Sequence, residues 1–128
     1  MTAPLHVLVV DDHRDVCEFV AFGLRSAGFD VETASNGREA IACQERHAAD
    51  VVITDIFMPD MDGLEAIQCI KRLFPRTRIV AMSSRAGAHR PDYLWVARQI
   101  GADATLSKPF GTEDLLALVR KLDAAPPR

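Results

Sequence analysis

A chain of 128 residues, 48% hydrophobic and 26% charged, has the size and composition of one globular domain with a single core. Its net charge of −3 argues against a nucleic-acid surface, whose electrostatic footprint is a basic stripe. No apolar stretch approaches the roughly 20 residues that span a bilayer. Met1-Thr2-Ala3-Pro4 lacks the basic and apolar regions of a signal peptide, so a cytoplasmic protein with no membrane insertion is expected.

Strand-like and helix-like segments alternate along the chain. Leu5 to Val10 is an apolar run that meets Asp11-Asp12. Arg14 to Ala27 has helical spacing in Val16, Phe19, Val20 and Leu24, and Gly28 stops it. Asp30 to Thr33 is a short strand, placed near a sheet edge by its charges. A helix opens at Gly37 and runs to about Ala48. Val51 to Thr54 reads as a buried strand, short, β-branched and ending at Asp55. Gly63 to Leu73 is a helix stopped before Pro75, and Arg78 to Met82 is the fourth strand. Pro91 and Asp92 start a helix that ends near Gly101. Ala104 to Ser107 is the fifth strand, and Thr112 caps a last helix that runs to about Asp123. Residues 1–123 thus form one domain, and 124–128 are a tail. Cys17, Cys43 and Cys69 have no Cys-x-x-Cys spacing and each lies in a helix-like segment, so they read as small packing residues in a reducing cytosol.

Five strand–helix repeats imply a parallel sheet with helices on both faces, joined by right-handed crossovers. Ligands on such sheets bind outside the carboxyl ends of the strands, where the strand order reverses. Asp11, Asp12, Asp55, Ser83 and Lys108 all follow strands and therefore share that edge. Ionised carboxylates at the mouth of a buried strand need a metal, a cation or dense hydrogen bonding. Three clustered carboxylates repel one another, and a divalent cation relieves this. Oxygen ligands favour Mg²⁺, Mn²⁺ or Ca²⁺ over zinc. Lys108, held extended before Pro109, is expected to pair with Asp55 at rest and with a phosphoryl group later. The hydroxyls of Ser83 and Ser84 can donate to a phosphoryl oxygen. These parts suit phosphoryl transfer onto Asp55 as nucleophile, with Mg²⁺ and Lys108 neutralising the developing charge. His13 is placed on the exposed loop after Asp12, with a role as base the lesser alternative. His6, His47 and His89 show no pairing pattern and read as surface or loop residues.

Asp11-Asp12, the run Asp55-Ile56-Phe57-Met58-Pro59-Asp60-Met61-Asp62-Gly63, Ser83 after the fourth strand and Lys108-Pro109-Phe110 after the fifth resemble the receiver domains of two-component response regulators. The resemblance covers essentially the whole chain. It implies an α/β, flavodoxin-like fold with strand order 2-1-3-4-5. It implies that Asp55 is the phosphoacceptor, served by a histidine kinase, a phosphotransfer protein or a small acyl phosphate. Asp12, Asp55 and the backbone carbonyl of Phe57 become direct Mg²⁺ ligands, with Mn²⁺ an alternative, and Asp11 acts mostly through water. Ser83 becomes the switch hydroxyl, and the Ser84 amide an added donor to the phosphoryl group. The protein would then be a switch, with no enzymatic activity beyond phosphorylation and dephosphorylation of Asp55.

Three positions depart from the family's pattern. Thr105 stands where receivers commonly carry Tyr or Phe, and cannot fill an aromatic-sized pocket. Phe57, two residues after Asp55, and Arg85, two after Ser83, would flank the water that hydrolyses an acyl phosphate. Phe57 would exclude that water and Arg85 cover the phosphoryl group, so slow autodephosphorylation is expected. The loop from Arg85 to Pro91 is longer than in compact receivers, as a functional loop or a bland insertion.

On the fourth helix Tyr93, Val96, Ala97 and Ile100 share one face, and Trp95 falls opposite, between Arg98 and Gln99. On the last helix Leu115, Leu118, Val119 and Leu122 face the core and Leu116 faces away. Trp95 and Leu116 then lie on one surface, the fourth-to-fifth-helix face that receivers use for dimerisation or output. The alternative for Trp95 is a ring folded over its own helix or the long loop. The chain runs some five residues past the last helix, so action through a downstream protein partner or a relay is expected, with no appended effector; a piece of a larger regulator or hybrid kinase would look the same. Two other readings compete. An aspartate-nucleophile phosphatase of the haloacid dehalogenase type needs an acid where Phe57 stands. A phosphorylation-independent binding domain would not require Asp11, Asp12, Asp55, Ser83 and Lys108 together.

Overall fold

A computed structural model describes residues 4–57, 63–84 and 93–124. The strands are β1 (His6–Val10), β2 (Asp30–Ala34), β3 (Val51–Asp55), β4 (Arg78–Ser84) and β5 (Ala104–Lys108). The helices are α1 (Arg14–Ser26), α2 (Gly37–Arg46), α3 (Gly63–Leu73), α4 (Tyr93–Gln99) and α5 (Thr112–Ala124). All strand pairs are parallel, in the order β2-β1-β3-β4-β5. The flavodoxin-like topology expected from the sequence is therefore the one observed.

Side chains of a strand alternate between sheet faces, and the core divides accordingly. Val7, Val9, Val51, Ile53, Val80 and Met82 face one way, against Val20 and Leu24 of α1 and Leu115 and Val119 of α5. Leu8, Val10, Val52, Ile79 and Ala81 face the other way, against Ala40 of α2, Ile67 and Ile70 of α3 and Ala97 of α4. The inner strands β1 and β3 are buried throughout, which is why they read as continuous apolar runs. The outer strand β2 keeps exposed charges, as its sequence suggested.

Several expectations are corrected. β4 runs to Ser84 and β5 to Lys108, so Ser83, Ser84 and Lys108 end their strands rather than follow them. Leu115 N–H donates to the Gly111 carbonyl, which makes Gly111 the cap of α5 and Thr112 its first residue. That helix includes Ala124, assigned above to the tail. Phe19 does not join the buried stripe of α1; it is 52% exposed. His6 is buried rather than superficial, because its ring stacks on His47 at 4.1 Å and its Nδ1 lies 3.1 Å from Asp30 Oδ2. Leu116 is half-buried against the α1–α5 core instead of facing away. The expectations for residues 58–62, for the 85–91 loop with Arg85 and His89, for the helix start at Pro91 and Asp92, and for the tail beyond 124 lie outside the described residues.

Candidate functional site

The carboxyl ends of β1, β3, β4 and β5 converge because parallel strands share one direction. Val10 pairs with Thr54, Asp55 with Met82, Ser83 with Ser107 and Ser84 with Lys108. The next residue of each register carries the polar group, so Asp11, Asp55, Ser83 and Lys108 gather at one rim. Asp11, Asp55 and Ser83 are buried, whereas Asp12 and His13 open to solvent.

Asp55 is fixed by its backbone. Its carbonyl accepts from the Thr54 hydroxyl at 2.9 Å, and Ile56 N–H donates to the Met82 carbonyl at 3.0 Å. Gly63 N–H donates to the Ile56 carbonyl at 3.2 Å. A Cβ on Gly63 would collide with the Asp55 carbonyl and the Ile56 Cα. Glycine is therefore required where α3 starts against the end of β3, a close backbone approach rather than a special φ.

Lys108 reaches in from β5. Its Nζ donates to Asp11 Oδ2 at 2.8 Å and lies 3.6 Å from Asp55 Oδ1. The resting partner of Lys108 is thus Asp11 more closely than Asp55, the residue expected from the sequence. A fully buried Asp11 carboxylate needs a direct cation, and its other oxygen accepts His13 N–H at 2.9 Å. Asp55 Oδ1 is buried and accepts no hydrogen bond. Burial pushes the Asp55 carboxyl up to about 6; Lys108 pulls it down, and Asp11 and Asp12 raise it further.

The donor set fits a divalent cation. Ligand atoms of Asp11, Asp12, His13 and Asp55 lie within 4.8 Å of one another, and the buried Asp55 oxygen has no hydrogen bond and only Lys108, at 3.6 Å, to compensate its charge. His13 is exposed as expected, yet its Nδ1 stands 3.4 Å from Oδ1 of both Asp11 and Asp12. The loop reading missed that placement; its only sequence signal is adjacency to Asp12.

The surroundings add aromatic groups. Phe57 is 40% exposed and meets Tyr93 of α4 edge-to-face, with ring centroids 4.9 Å apart. Thr105 pairs with Ala81, on the sheet face where α4 sits. Beside Lys108, the residues Asp15, Val16, Phe19, Pro109 and Phe110 complete the lining of a cavity of about 320 Å³. Phe22, one turn beyond Phe19, is 73% exposed. Sequence reasoning missed this apolar surface, although two Phe residues three positions apart on one helix were visible. Trp95 is 59% exposed on α4.

Fold and site define a doubly wound α/β domain with an acid pocket at its topological switch point. Comparison with known proteins gives the family. The model of the response regulator receiver domain matches residues 7–120. The transcriptional regulatory protein TrcR of Mycobacterium tuberculosis is 35% identical over 120 residues, 94% of this chain and 46% of that protein. Chemotaxis protein CheY4 of Vibrio cholerae superposes with a TM-score of 0.84 at 33% identity, over 94% of this chain and 99% of that one. A putative response regulator from Chloroflexus aurantiacus gives 0.88 at 27% identity, over 95% and 99%. The chain belongs to the response regulator receiver domain family. It spans about half the length of the curated relatives it matches.

Proposed function

We propose that Asp55 is the phosphoacceptor of this receiver, and that its phosphorylation alters a partner-binding surface near α4 and α5. The observation that carries the reading is the buried Asp55 oxygen without a hydrogen-bond partner, 3.6 Å from a lysine that is hydrogen-bonded elsewhere. An acyl phosphate there gives Lys108 a second anion to bind, so the ammonium can serve Asp11 and the phosphoryl group together.

In the transfer, an ionised Asp55 oxygen bonds to phosphorus while the donor's P–N bond, or P–O bond of an acyl phosphate, breaks. The leaving imidazole or carboxylate departs on the opposite side. Lys108 faces the charge on the transferring group, and Ser83 and the Ser84 amide lie at the adjacent strand end as donors. Asp12, Asp55 and the Phe57 carbonyl would hold a Mg²⁺ ion, with Asp11 acting through water. When bound, that ion neutralises phosphoryl charge and lowers the pKa of Asp55, favouring the nucleophilic form. Mn²⁺ is an alternative occupant.

The apolar cavity beside Lys108, flanked by Phe19, suits the docking of a histidine kinase or phosphotransfer protein whose phosphohistidine must approach Asp55. Trp95 supports an output surface for a downstream protein or a second copy, and the half-buried Leu116 serves it less directly. Incubation with acetyl phosphate and Mg²⁺, read by intact mass, is expected to add one phosphoryl group, absent in Asp55→Asn. No mass change in the wild type would defeat the reading. Phe57 favours a long-lived phosphoryl group, and Phe57→Asn should speed phosphate release; an unchanged rate would remove that role.

A further inference from the structure

An imidazole beside the acids is a donor that a Mg²⁺-only pocket does not need. Mg²⁺ is hard and takes oxygen ligands, whereas Mn²⁺ and the later first-row dications also accept imidazole nitrogen. Among the described residues of the acid cluster, His13 supplies the nitrogen. Its Nδ1 lies 3.4 Å from Asp11 Oδ1 and 3.4 Å from Asp12 Oδ1. Two donors each about 2.1 Å from one ion are separated by roughly 3.0 Å at a right angle and about 3.4 Å at the tetrahedral angle. The 3.4 Å to Asp12 Oδ1 is within a few tenths of an ångström of the right-angle value, so a small ring movement brings His13 Nδ1 and Asp12 Oδ1 onto one octahedral ion.

Two further observations support this placement. The Asp55 oxygen in the same cluster is buried and lacks a hydrogen-bond partner, and its nearest cation, Lys108, stands 3.6 Å away while hydrogen-bonded to Asp11, so its charge is only partly compensated. His13 is also held on the acids by its own backbone, which donates to Asp11 Oδ1 at 2.9 Å. It occupies the N-cap of α1 without a side-chain cap hydrogen bond, so the ring has no helix-capping task. A cationic imidazole paired with two carboxylates is the competing use of this geometry.

The geometry points to His13 as a direct cation ligand that biases the pocket toward Mn²⁺ and its neighbours over Mg²⁺. The inference rests on the reading of Asp11, Asp12 and Asp55 as a cation site. It makes the identity of the available dication a second input, separate from the phosphodonor.

The test needs no phosphodonor. The full chain is titrated with Mg²⁺ and with Mn²⁺ by calorimetry, and the Mn²⁺-loaded protein is examined by pulsed electron paramagnetic resonance for directly bound ¹⁴N. The wild type should show the nitrogen coupling, and His13→Ala should lose it. The Mn²⁺-to-Mg²⁺ affinity ratio should fall about tenfold in His13→Ala. His13→Gln, polar but without imidazole, should behave likewise. Binding without nitrogen coupling, or an unchanged ratio in both variants, overturns the ligand role and leaves an all-oxygen site. Binding of neither ion overturns the cation reading itself. If the variants fail to fold, the presence or absence of nitrogen coupling in the wild type decides.

Discussion

At the scale of single residues, Asp55 is dominated by burial. Its carboxyl is raised from 3.8 to about 6, so the folded metal-free chain binds the proton more tightly than the unfolded chain. Stability then falls as pH rises from about 4 to 6 and is level above. The difference corresponds to roughly 3 kcal/mol. Without divalent cations, Asp55→Asn should therefore be more stable than wild type at pH 7 by roughly 2–3 kcal/mol, and equal to it near pH 4. Urea melts at the two pH values check this; an equal offset at both would refute the burial account. Gly63 has the opposite character. Its missing Cβ leaves room for the Asp55 carbonyl, so Gly63→Ala must displace the end of β3 or α3. A loss of about 2–3 kcal/mol is expected, with a slowed phosphorylation of Asp55 beside it. The sequence disclosed Gly63 as a helix start, but the backbone it touches is set by tertiary packing.

At the scale of elements, strands were more legible than the faces of helices. β1 and β3 could be read because both sheet faces are covered, which leaves no polar alternation. Periodicity placed Leu115, Val119 and Leu122 correctly, yet it sent Leu116 outward and Phe19 inward. A helix that packs on a sheet and also on a neighbouring helix has a wider apolar sector than one stripe, and Leu116 falls within it. Phe19 is left out because Pro109 and Phe110 meet α1 across an open cavity. The Phe57–Tyr93 contact was likewise hidden, since it joins two segments far apart in the chain. It ties the residue two places after Asp55 to α4, where Thr105 supplies no aromatic ring. A double-mutant cycle of Phe57→Leu and Tyr93→Leu should give a coupling of about 1 kcal/mol. Trp95 is the single tryptophan, two residues from Tyr93. A phosphorylation-dependent change in its fluorescence should be weakened in both variants; an undiminished change in either would exclude the aromatic pair as the route to α4.

At the scale of the whole molecule, the site exists because four parallel strands end together, and this the sequence revealed through four apolar runs each meeting a polar residue. Which polar group pairs with which was not legible. Lys108 favours Asp11 because that carboxylate is fully buried, a fact of packing. His6 was misread for a related reason: its partners Asp30 and His47 come from β2 and the end of α2, brought together by the sheet edge. The same convergence couples cation binding to global stability. A ligand that binds only the folded chain at ten times its Kd adds about 1.4 kcal/mol, which for a chain of this length is roughly a 5 °C rise in Tm. In the proposed site cation binding requires an ionised Asp55, and burial holds that carboxyl up near 6. At a fixed Mg²⁺ concentration the rise in Tm should therefore be small at pH 5, where the folded carboxyl is mostly protonated, and larger at pH 7.5. Asp55→Asn should lose most of the rise at pH 7.5. Differential scanning calorimetry with and without Mg²⁺ at the two pH values makes the measurement, and a rise independent of pH would place the cation away from Asp55.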